Sequence, residues 1–267
     1  MKRLNIVVPY RDRANHLVQF VSHLRGYFSR DKVDKDIPYR VTIVEQEQGL
    51  PFNRGALLNI GFLLGETESD YTCFHDVDYL PIWADYSWVD APTPILWYGA
   101  EQRPVAPGRS TAVVTHNLET YFGGVLLVPN DQFRKVNGYA NDYWGWGFED
   151  VDLRTRFLAT GTVLQRRKGT YVPLDHDNQG FKVDGSPSPI MGVNKQLFEH
   201  RVNMIAKLTE EGLTTTAFSV LERTAMPDPT PERPAVWENV KVRIETRPNA
   251  AQQVALANPV AELAASA

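Results

Sequence analysis

Apolar residues in the first third of the chain recur first at the spacing of strands and then at that of helices. Residues 4–8 form a short β-branched run that Pro9 ends, which is typical of a buried strand. Residues 17–28 carry apolar side chains at helical spacing, and residues 39–45 form a second buried run. This strand–helix–strand order predicts a parallel pair with a right-handed crossover. Ligands of such sheets bind beyond the carboxyl ends of the strands, here directly after Pro9.

The same patterns extend an α/β organisation along the rest of the chain. Helices are predicted at residues 52–64, 131–136, 149–159 and 194–211, and strands at 71–74, 95–98, within 121–128, and late in the chain at 218–223 and 236–244. Residues 83–115 are rich in proline and predicted to be irregular apart from the strand at 95–98, and residues 171–193 are predicted to be a mobile polar loop. We therefore predict one α/β domain over residues 1–246 and a C-terminal tail over residues 247–267 that is disordered, with a frayed helix as the alternative.

Composition and charge restrict the class of protein. The formal net charge of −4 argues against nucleic-acid binding driven by bulk charge. The single cysteine, Cys73, excludes an intrachain disulfide and favours a reducing compartment. The apolar run at residues 6–8 is too short for a signal sequence or a membrane span, and no other stretch reaches that length. We therefore expect a soluble, cytoplasmic protein and leave its oligomeric state open.

An acidic pair follows the third predicted strand. Asp76 and Asp78 flank Val77 where the strand at residues 71–74 ends. Carboxylate oxygens at this point suit Mg²⁺ or Mn²⁺, which would hold a nucleotide diphosphate. His176 is the candidate for a further ligand because imidazole suits Mn²⁺. A solvated acidic loop and an ordinary exposed histidine are the alternatives that the spacing alone leaves open.

The highest density of reactive residues lies in residues 141–156, NDYWGWGFEDVDLRTR. Trp144 and Trp146 precede the adjacent acids Glu149 and Asp150. Indole faces stack on the apolar face of a pyranose, and carboxylates accept its hydroxyl hydrogens or take a proton. The alternative is a tryptophan-rich turn that caps a helix, with the acids complementing the helix N-terminus. The number of aromatic and acidic residues together favours a carbohydrate site.

Phosphate binding has no glycine-rich loop to support it. The chain contains no P-loop, no GxGxxG after the first strand, no GxSxG elbow and no paired metal-binding cysteines. The candidates are instead Arg11, Arg13 and Arg54, which lie near the predicted crevice. The planar guanidinium matches the geometry of a phosphate, although each arginine also suits a surface ion pair.

Five blocks of the sequence match one known family in the family's order. They are VPYRDR at 8–13, FNRG at 52–55 with the apolar run 57–62, DVD at 76–78, YFGGV at 121–125 and YWGWGFED at 143–150. On these blocks the chain resembles the inverting β-1,4-galactosyltransferases, which transfer galactose from UDP-galactose. The similarity extends over residues 4–245. The two aromatic blocks together are specific to the family, whereas an isolated DVD is not.

The resemblance implies a glycosyltransferase-A type fold, an α/β domain whose sheet and flanking helices form a nucleotide-sugar crevice. The implied cofactor is Mn²⁺, with Mg²⁺ as the alternative, and the implied metal ligands are Asp78 and His176. The residues that it implies for the donor are Pro9, Tyr10, Arg11, Arg13, Phe52, Arg54, Asp76, Val77, Tyr121 and Trp146. Those that it implies for the acceptor are Tyr121, Trp146, Gly147, Glu149 and Asp150.

The resemblance also implies a role for several of these residues. Asp150 would be the general base that deprotonates the acceptor hydroxyl. Trp146 and His176 would lie on two loops that close over the donor, and the glycines beside Trp146 are consistent with a hinge. Tyr121 stands where the family discriminates against a 2-N-acetyl group, which favours galactose as the donor sugar.

Several positions depart from the family's pattern. Phe148 replaces a glycine, Val151 replaces an aspartate that contacts the acceptor, and Leu197 stands where many members have an arginine. Pro173 and Leu174 do not match the family's third metal ligand. These differences argue against N-acetylglucosamine as the acceptor. The sequence also shows neither the lumenal disulfides nor the N-terminal membrane anchor of the family, which fits the expectation of a cytoplasmic enzyme that builds a bacterial surface glycan.

The sequence therefore predicts a metal-dependent inverting transferase that moves galactose from UDP-galactose to a sugar hydroxyl, in β-1,4 linkage. One alternative is the same chemistry with UDP-N-acetylgalactosamine or UDP-glucose. Another is a carbohydrate-binding protein without activity. A glycosidase with two carboxylates would not need the arginine and DVD blocks.

Overall fold

The computed structural model describes residues 1–29, 37–106, 109–118, 121–175, 186–227 and 235–257. Within them the strands and helices follow one another in this order: β1 Leu4–Tyr10, α1 Ala14–Phe28, β2 Tyr39–Gln46, α2 Arg54–Gly65, β3 Tyr71–His75, β4 Tyr79–Trp83, β5 Thr93–Pro94, β6 Leu96–Ala106, β7 Arg109–Asn117, β8 Val125–Pro129, α3 Asn130–Lys135, α4 Glu149–Ala159, β9 Gly169–Pro173, α5 Pro189–Asn203, β10 Phe218–Ala225, β11 Val236–Ile244 and α6 Ala250–Ala257.

A seven-stranded sheet with the order β10-β11-β2-β1-β3-β8-β5 forms the centre of the molecule. Strand β1 runs parallel to β2 and β3, so the predicted parallel pair is confirmed. Every residue of β1 is buried, because helices cover both faces of the strand. Ile6 packs in one core cluster with Phe20 of α1, and Val7 packs in the other with Ile60 of α2.

Helix α2 lies close against the sheet because of its first and middle residues. The Asn53 side chain accepts a hydrogen bond from the Ala56 amide at 2.9 Å and caps the helix. A β-carbon at Gly61 would lie 2.1 Å from Cγ1 of Val7, so only glycine permits this approach. The close packing fixes the start of α2, at Arg54, beside the carboxyl ends of β1 and β3.

A second sheet of four strands, in the order β4-β9-β6-β7, lies beside the first. The prediction that residues 83–115 are irregular is wrong, because β6 and β7 form an antiparallel hairpin there. Register shifts between Gly99 and Ala100 and between Pro104 and Ala106 interrupt the alternation that would have revealed it. Strand β9 begins before the loop predicted at 171–193 and includes the first three residues of that loop. The pairing of β9 with β4 brings the Leu174 amide 2.7 Å from the Asp78 carbonyl.

The C-terminal part of the chain completes the central sheet. The two late strands are confirmed: β11 lies parallel to β2, and β10 forms the edge. Helix α5 covers Pro189–Asn203, so it begins and ends earlier than the predicted residues 194–211. Pro189 suits its first turn. Short 3₁₀ turns at Ile205–Lys207 and Leu213–Thr215 follow it.

Helix α6 lies within the segment predicted as a disordered tail. It packs against α5, and its Gln252 side chain is buried and donates a hydrogen bond to the carbonyl of Asp142 at 2.7 Å. One buried amide side chain and a few alanines are enough to dock this short helix. Residues 250–257 are therefore helical. Residues 258–267 lie outside the described part of the chain, and the boundary at residue 246 stays a prediction.

Candidate active site

A cavity of about 1430 Å³ opens where β1 and β3 end and α4 begins. Its wall includes nearly all the residues that the sequence predicts for a site: Pro9, Arg11, Arg13, Phe52, Arg54, Asp76, Val77, Asp78, Tyr121, Trp146, Gly147, Glu149 and Asp150. Tyr10 is different, because it ends β1 within the core cluster on the α1 side. His176 lies outside the described residues. The five blocks thus converge on one cavity although they are far apart in the chain.

The acidic pair at the end of β3 is held by two arginines. The Arg54 guanidinium lies 2.7 Å from Oδ1 of Asp76, and the Arg13 guanidinium lies 2.9 Å from Oδ2 of Asp78. Val77 packs into the core between the two acids. Among the residues that the structure describes, no three His, Cys, Asp or Glu side chains are grouped to hold a metal ion.

The buried His75 side chain contacts the backbone of the turn that carries Asp76 and Asp78. Its Nδ1 lies 2.9 Å from the carbonyl of Asp76, and its Nε2 lies 2.9 Å from the Tyr86 hydroxyl. Burial lowers the pKa of His75 to about 4, so the ring is neutral at physiological pH. A neutral imidazole with both nitrogens engaged fixes the backbone from which Asp76 and Asp78 project.

Glu149 and Asp150 form the first turn of α4. Phe148, which caps the helix, has a left-handed backbone with φ of 76° and turns the chain into the cavity. The Arg54 guanidinium lies 3.4 Å from Oε1 of Glu149, so one arginine joins the two acidic clusters. Burial and the charge of Asp150 raise the pKa of Glu149 to about 7. Burial also raises the pKa of Asp150, against the opposing charge of Arg54. Carboxylates with raised pKa are suited to act as bases near neutral pH.

Tyr121 and Gly123 lie against the same carboxylate. A β-carbon at Gly123 would lie 2.6 Å from Oδ2 of Asp150 and 2.7 Å from the Tyr121 hydroxyl. Burial and the nearby Asp150 charge raise the pKa of Tyr121 well above its ordinary value. The phenol therefore stays protonated and keeps a hydroxyl hydrogen to donate into the cavity.

The two tryptophans of the aromatic stretch have different environments. Trp146 is 37% exposed and lies on the cavity wall between Gly145 and Gly147, whose φ angles are 76° and 100°. Trp144 is buried in the core cluster that contains α2, so the expectation that it faces a sugar is wrong. Glycine readily adopts these left-handed backbone angles, and with them the loop places one indole in the core and the other on the cavity wall.

Other wall residues were not among those predicted to bind the donor, the acceptor or the metal. They are Asp12, Ala14, Asn15, His16, Leu118, Phe122, Gly145, Phe148, Val151, Arg154, Asp175 and Met191. Arg154 could have been found, because it follows Asp150 by one turn of a predicted helix. Asp175 and Met191 have no such signal, because strand pairing and helix packing bring them to the cavity.

Comparison with known proteins identifies the family. The profile described as "N-terminal region of glycosyl transferase group 7" matches residues 1–88, and that described as "N-terminal domain of galactosyltransferase" matches residues 108–177. The chain belongs to the β-1,4-galactosyltransferase family. The family suggested by the five sequence blocks is thereby confirmed.

Several β-1,4-galactosyltransferases are similar to the chain. β-1,4-Galactosyltransferase 4 of Rattus norvegicus is 33% identical over 192 residues, which cover 70% of this chain and 52% of the relative. β-1,4-Galactosyltransferase 7 of Homo sapiens is 31% identical over 226 residues, which cover 84% and 63%. The chain thus spans roughly half to three fifths of the length of these relatives.

Solved structures confirm the glycosyltransferase-A type fold. The catalytic domain of Drosophila β-1,4-galactosyltransferase 7 in complex with xylobiose superposes with a TM-score of 0.67 at 22% identity, covering 92% of this chain and 95% of that one. A mutant of the same enzyme, in complex with manganese, UDP-Gal and xylobiose, gives 0.65 at 21% identity over the same shares. None of the helices within the described ranges is both long and apolar enough to cross a membrane.

Proposed function

We propose that this galactosyltransferase-family protein transfers galactose from UDP-galactose to a hydroxyl of a saccharide acceptor, with inversion at the anomeric carbon and with a divalent cation, Mn²⁺ or Mg²⁺. One observation supports this most directly. Two carboxylates of raised pKa, Glu149 and Asp150, share a cavity with the Asp76–Asp78 pair, and Arg54 joins the two sets. The Drosophila neighbour was solved with manganese, UDP-Gal and xylobiose.

The arginines at the end of β1 support the donor side of the proposal. Arg11 lies over the Phe52 ring, 5.6 Å from its centroid, which leaves an aromatic face and a cation side by side for a uridine diphosphate. Helix α1 begins on the same wall, and its first turn carries no acidic residue. The amides of that turn favour an anion.

The residues present fit a divalent cation at Asp78. Its carboxylate is buried and lies on the cavity wall, and oxygen ligands of this kind suit Mn²⁺ and Mg²⁺. Asp78 would share its carboxylate between the ion and Arg13, and His176 is retained as the second proposed ligand. When bound, the ion supplies positive charge that stabilises the departing diphosphate.

Asp150 is the proposed base. It takes the proton of the acceptor hydroxyl as that oxygen attacks the anomeric carbon, the bond from that carbon to the UDP oxygen breaks, and the electron pair leaves with UDP. Glu149 accepts a hydrogen bond from the acceptor and is oriented by Arg54. Trp146, on the wall of the same cavity, covers the sugars and excludes water. A single displacement needs one base and no protein nucleophile, which accords with a wall on which the described residues include no serine or cysteine.

A transfer assay tests the proposal. UDP release on mixing the protein with Mn²⁺, UDP-galactose and an acceptor panel is the expected result. UDP-N-acetylgalactosamine and UDP-glucose serve as competing donors, and Tyr121→Leu should widen tolerance for the 2-acetamido group. Binding of UDP-galactose without release against every acceptor would instead support the carbohydrate-binding alternative.

The proposed location is the cytoplasm. The one cysteine, Cys73, is buried within β3 as a free thiol, which fits a reducing compartment. Fractionation of the source cells tests this, and recovery of the protein from an oxidising compartment would contradict it.

A further inference from the structure

Asn194, near the middle of α5, holds the loop that carries Trp146. Its side chain is fully buried, and its amide nitrogen donates to the carbonyls of Trp144 and Trp146, each at 3.1 Å. The two acceptors lie on either side of Gly145, so a single amide spans the hinge residue. Moving the loop away from α5 would break both bonds at once.

Gln252 of α6 fixes the orientation of that amide. Its nitrogen donates to Oδ1 of Asn194 at 3.0 Å and to the carbonyl of Asp142 at 2.7 Å. Its oxygen accepts from the backbone amide of Asn249 at 3.1 Å. The Gln252 side chain is 1% exposed. Because both its nitrogen and its oxygen are engaged, this amide cannot rotate without leaving a buried polar group unpaired.

Apolar contacts reinforce the same arrangement. A β-carbon at Gly145 would lie 2.9 Å from Ile190 of α5 and 3.2 Å from Leu256 of α6, so the loop backbone rests on both helices. Phe148 stacks on Phe198 of α5 with 5.6 Å between the ring centroids. One face of α5 therefore supports the loop along its whole length, and α6 supports it at the glycine.

We propose that Asn194 and Gln252 form a loop clasp that keeps Trp146 on the cavity wall and thereby sets the affinity for the acceptor. The clasp positions Trp146, and neither residue touches the reacting atoms. Its effect on the acceptor rests on the proposed function, whereas its effect on Trp146 does not. The consequence is that α6, which lies beyond the central sheet, tunes the sugar site.

An isosteric change tests the clasp. Gln252→Glu keeps the size of the side chain and the bond from Asn249 but replaces the two donations with an oxygen that repels both acceptors. Acrylamide quenching of Trp146, taken as the difference between each protein and its Trp146→Phe partner, is measured without substrates. The clasp predicts stronger quenching in Gln252→Glu. Gln253→Ala is the matched control, since Gln253 is exposed on the same helix and its side chain donates to the Pro248 carbonyl at 2.8 Å.

Kinetics supply the second readout. We expect Gln252→Glu to raise the acceptor KM about tenfold, equivalent to about one lost hydrogen bond. We expect a smaller rise in the donor KM, because Trp146 is only one of the residues proposed for the donor and the substitution leaves Arg11, Arg13 and Arg54 in place. If Gln252→Glu does not fold, both measurements are repeated with Asn194→Ala, which removes the other residue of the clasp. A lower melting temperature with unchanged quenching and unchanged acceptor KM would overturn the proposal. If the wild-type protein transfers no galactose, the quenching result alone decides it, so the two failures are distinguishable.

Discussion

Gly123 lies directly beneath the carboxylate of Asp150: a β-carbon at residue 123 would be 2.6 Å from Oδ2 of Asp150. Gly123→Ala should therefore displace the proposed base without straining the backbone, because no left-handed φ is required at this residue. A displacement of about 1 Å costs on the order of 10²-fold in rate. We expect that loss in kcat with a melting temperature close to that of the wild-type protein.

Gly26→Ala is the control for this substitution. Gly26 lies in α1 with no atom within 4 Å of the β-carbon that alanine would add. We expect it to keep full activity and to gain about 0.5–1 kcal/mol of stability, since alanine favours a helix interior. Full activity in Gly123→Ala would contradict the assignment of Asp150 as the base, because a displaced base could not keep the full rate.

Removing the base itself gives the sharpest test of the mechanism. Asp150→Asn keeps the shape of the side chain but cannot take a proton. We expect kcat to fall by about 10²–10⁴-fold while UDP-galactose binding, measured by calorimetry with Mn²⁺, is retained. Turnover near the wild-type rate would exclude Asp150 as the base.

The activity should depend on pH through the same pair of acids. Burial raises the pKa of both Glu149 and Asp150, and only the ionised form of Asp150 accepts a proton. We therefore expect kcat/KM to decline as the pH falls through the raised pKa of Asp150, above the range of an ordinary aspartate. Glu149→Gln removes a neighbouring negative charge and should move this decline to lower pH. A profile that is flat between pH 5 and about 8 would contradict the assignment.

Stability should show the opposite trend with pH. A carboxyl group whose folded pKa is raised favours the folded state below its unfolded pKa, about 4.3 for glutamate. That contribution is lost as the pH rises through about 7, the folded pKa of Glu149. Urea denaturation should therefore give a free energy of unfolding that decreases between these values, and less so in Glu149→Gln. An identical slope in both proteins would rule out the raised pKa.

Asp152 should behave differently from Asp150 although it is two residues away. It is fully buried and accepts from Arg156 at 2.6 Å, from Arg201 at 2.8 Å and from the Tyr143 hydroxyl at 3.1 Å. Asp152→Ala removes the shortest ion pair of both arginines and leaves them their longer ion pairs with Glu211 and Asp142, so it should cost about 3–5 kcal/mol of stability. Glu199→Ala, which breaks an exposed pair with Lys195, should cost about 1 kcal/mol or less. Thermal denaturation of both variants checks this difference.

The central sheet and the converging blocks could be predicted because their signals are local. A buried run such as residues 4–8 is recognisable by itself, and parallel strands place Pro9 and Asp76 at one edge of the sheet. The hairpin of β6 and β7 could not be predicted, because its irregular register removes the period of two. The separation of Trp144 from Trp146 could not be predicted either, since it depends on backbone angles that glycine leaves free.

The loop clasp has no counterpart in any sequence pattern. Asn194 and Gln252 are 58 residues apart, and polar side chains of these types are common on helix surfaces. Only the docking of α6 on α5 makes them partners. Periodicity predicts which helices exist, but pairing between two buried amides follows from how those helices pack.

Because β11 lies beside β2, the central sheet can be completed only after residues 236–244 have been synthesised. Residues 236–244 supply the strand that covers the outer edge of β2, and Glu238 pairs with the buried Arg40 at 2.6 Å. While the ribosome is still synthesising the segment before residue 236, the edge of β2 is open to pairing with other nascent chains. The strands that carry the first half of the cavity wall, although encoded first, therefore depend on the last strand for their final assembly.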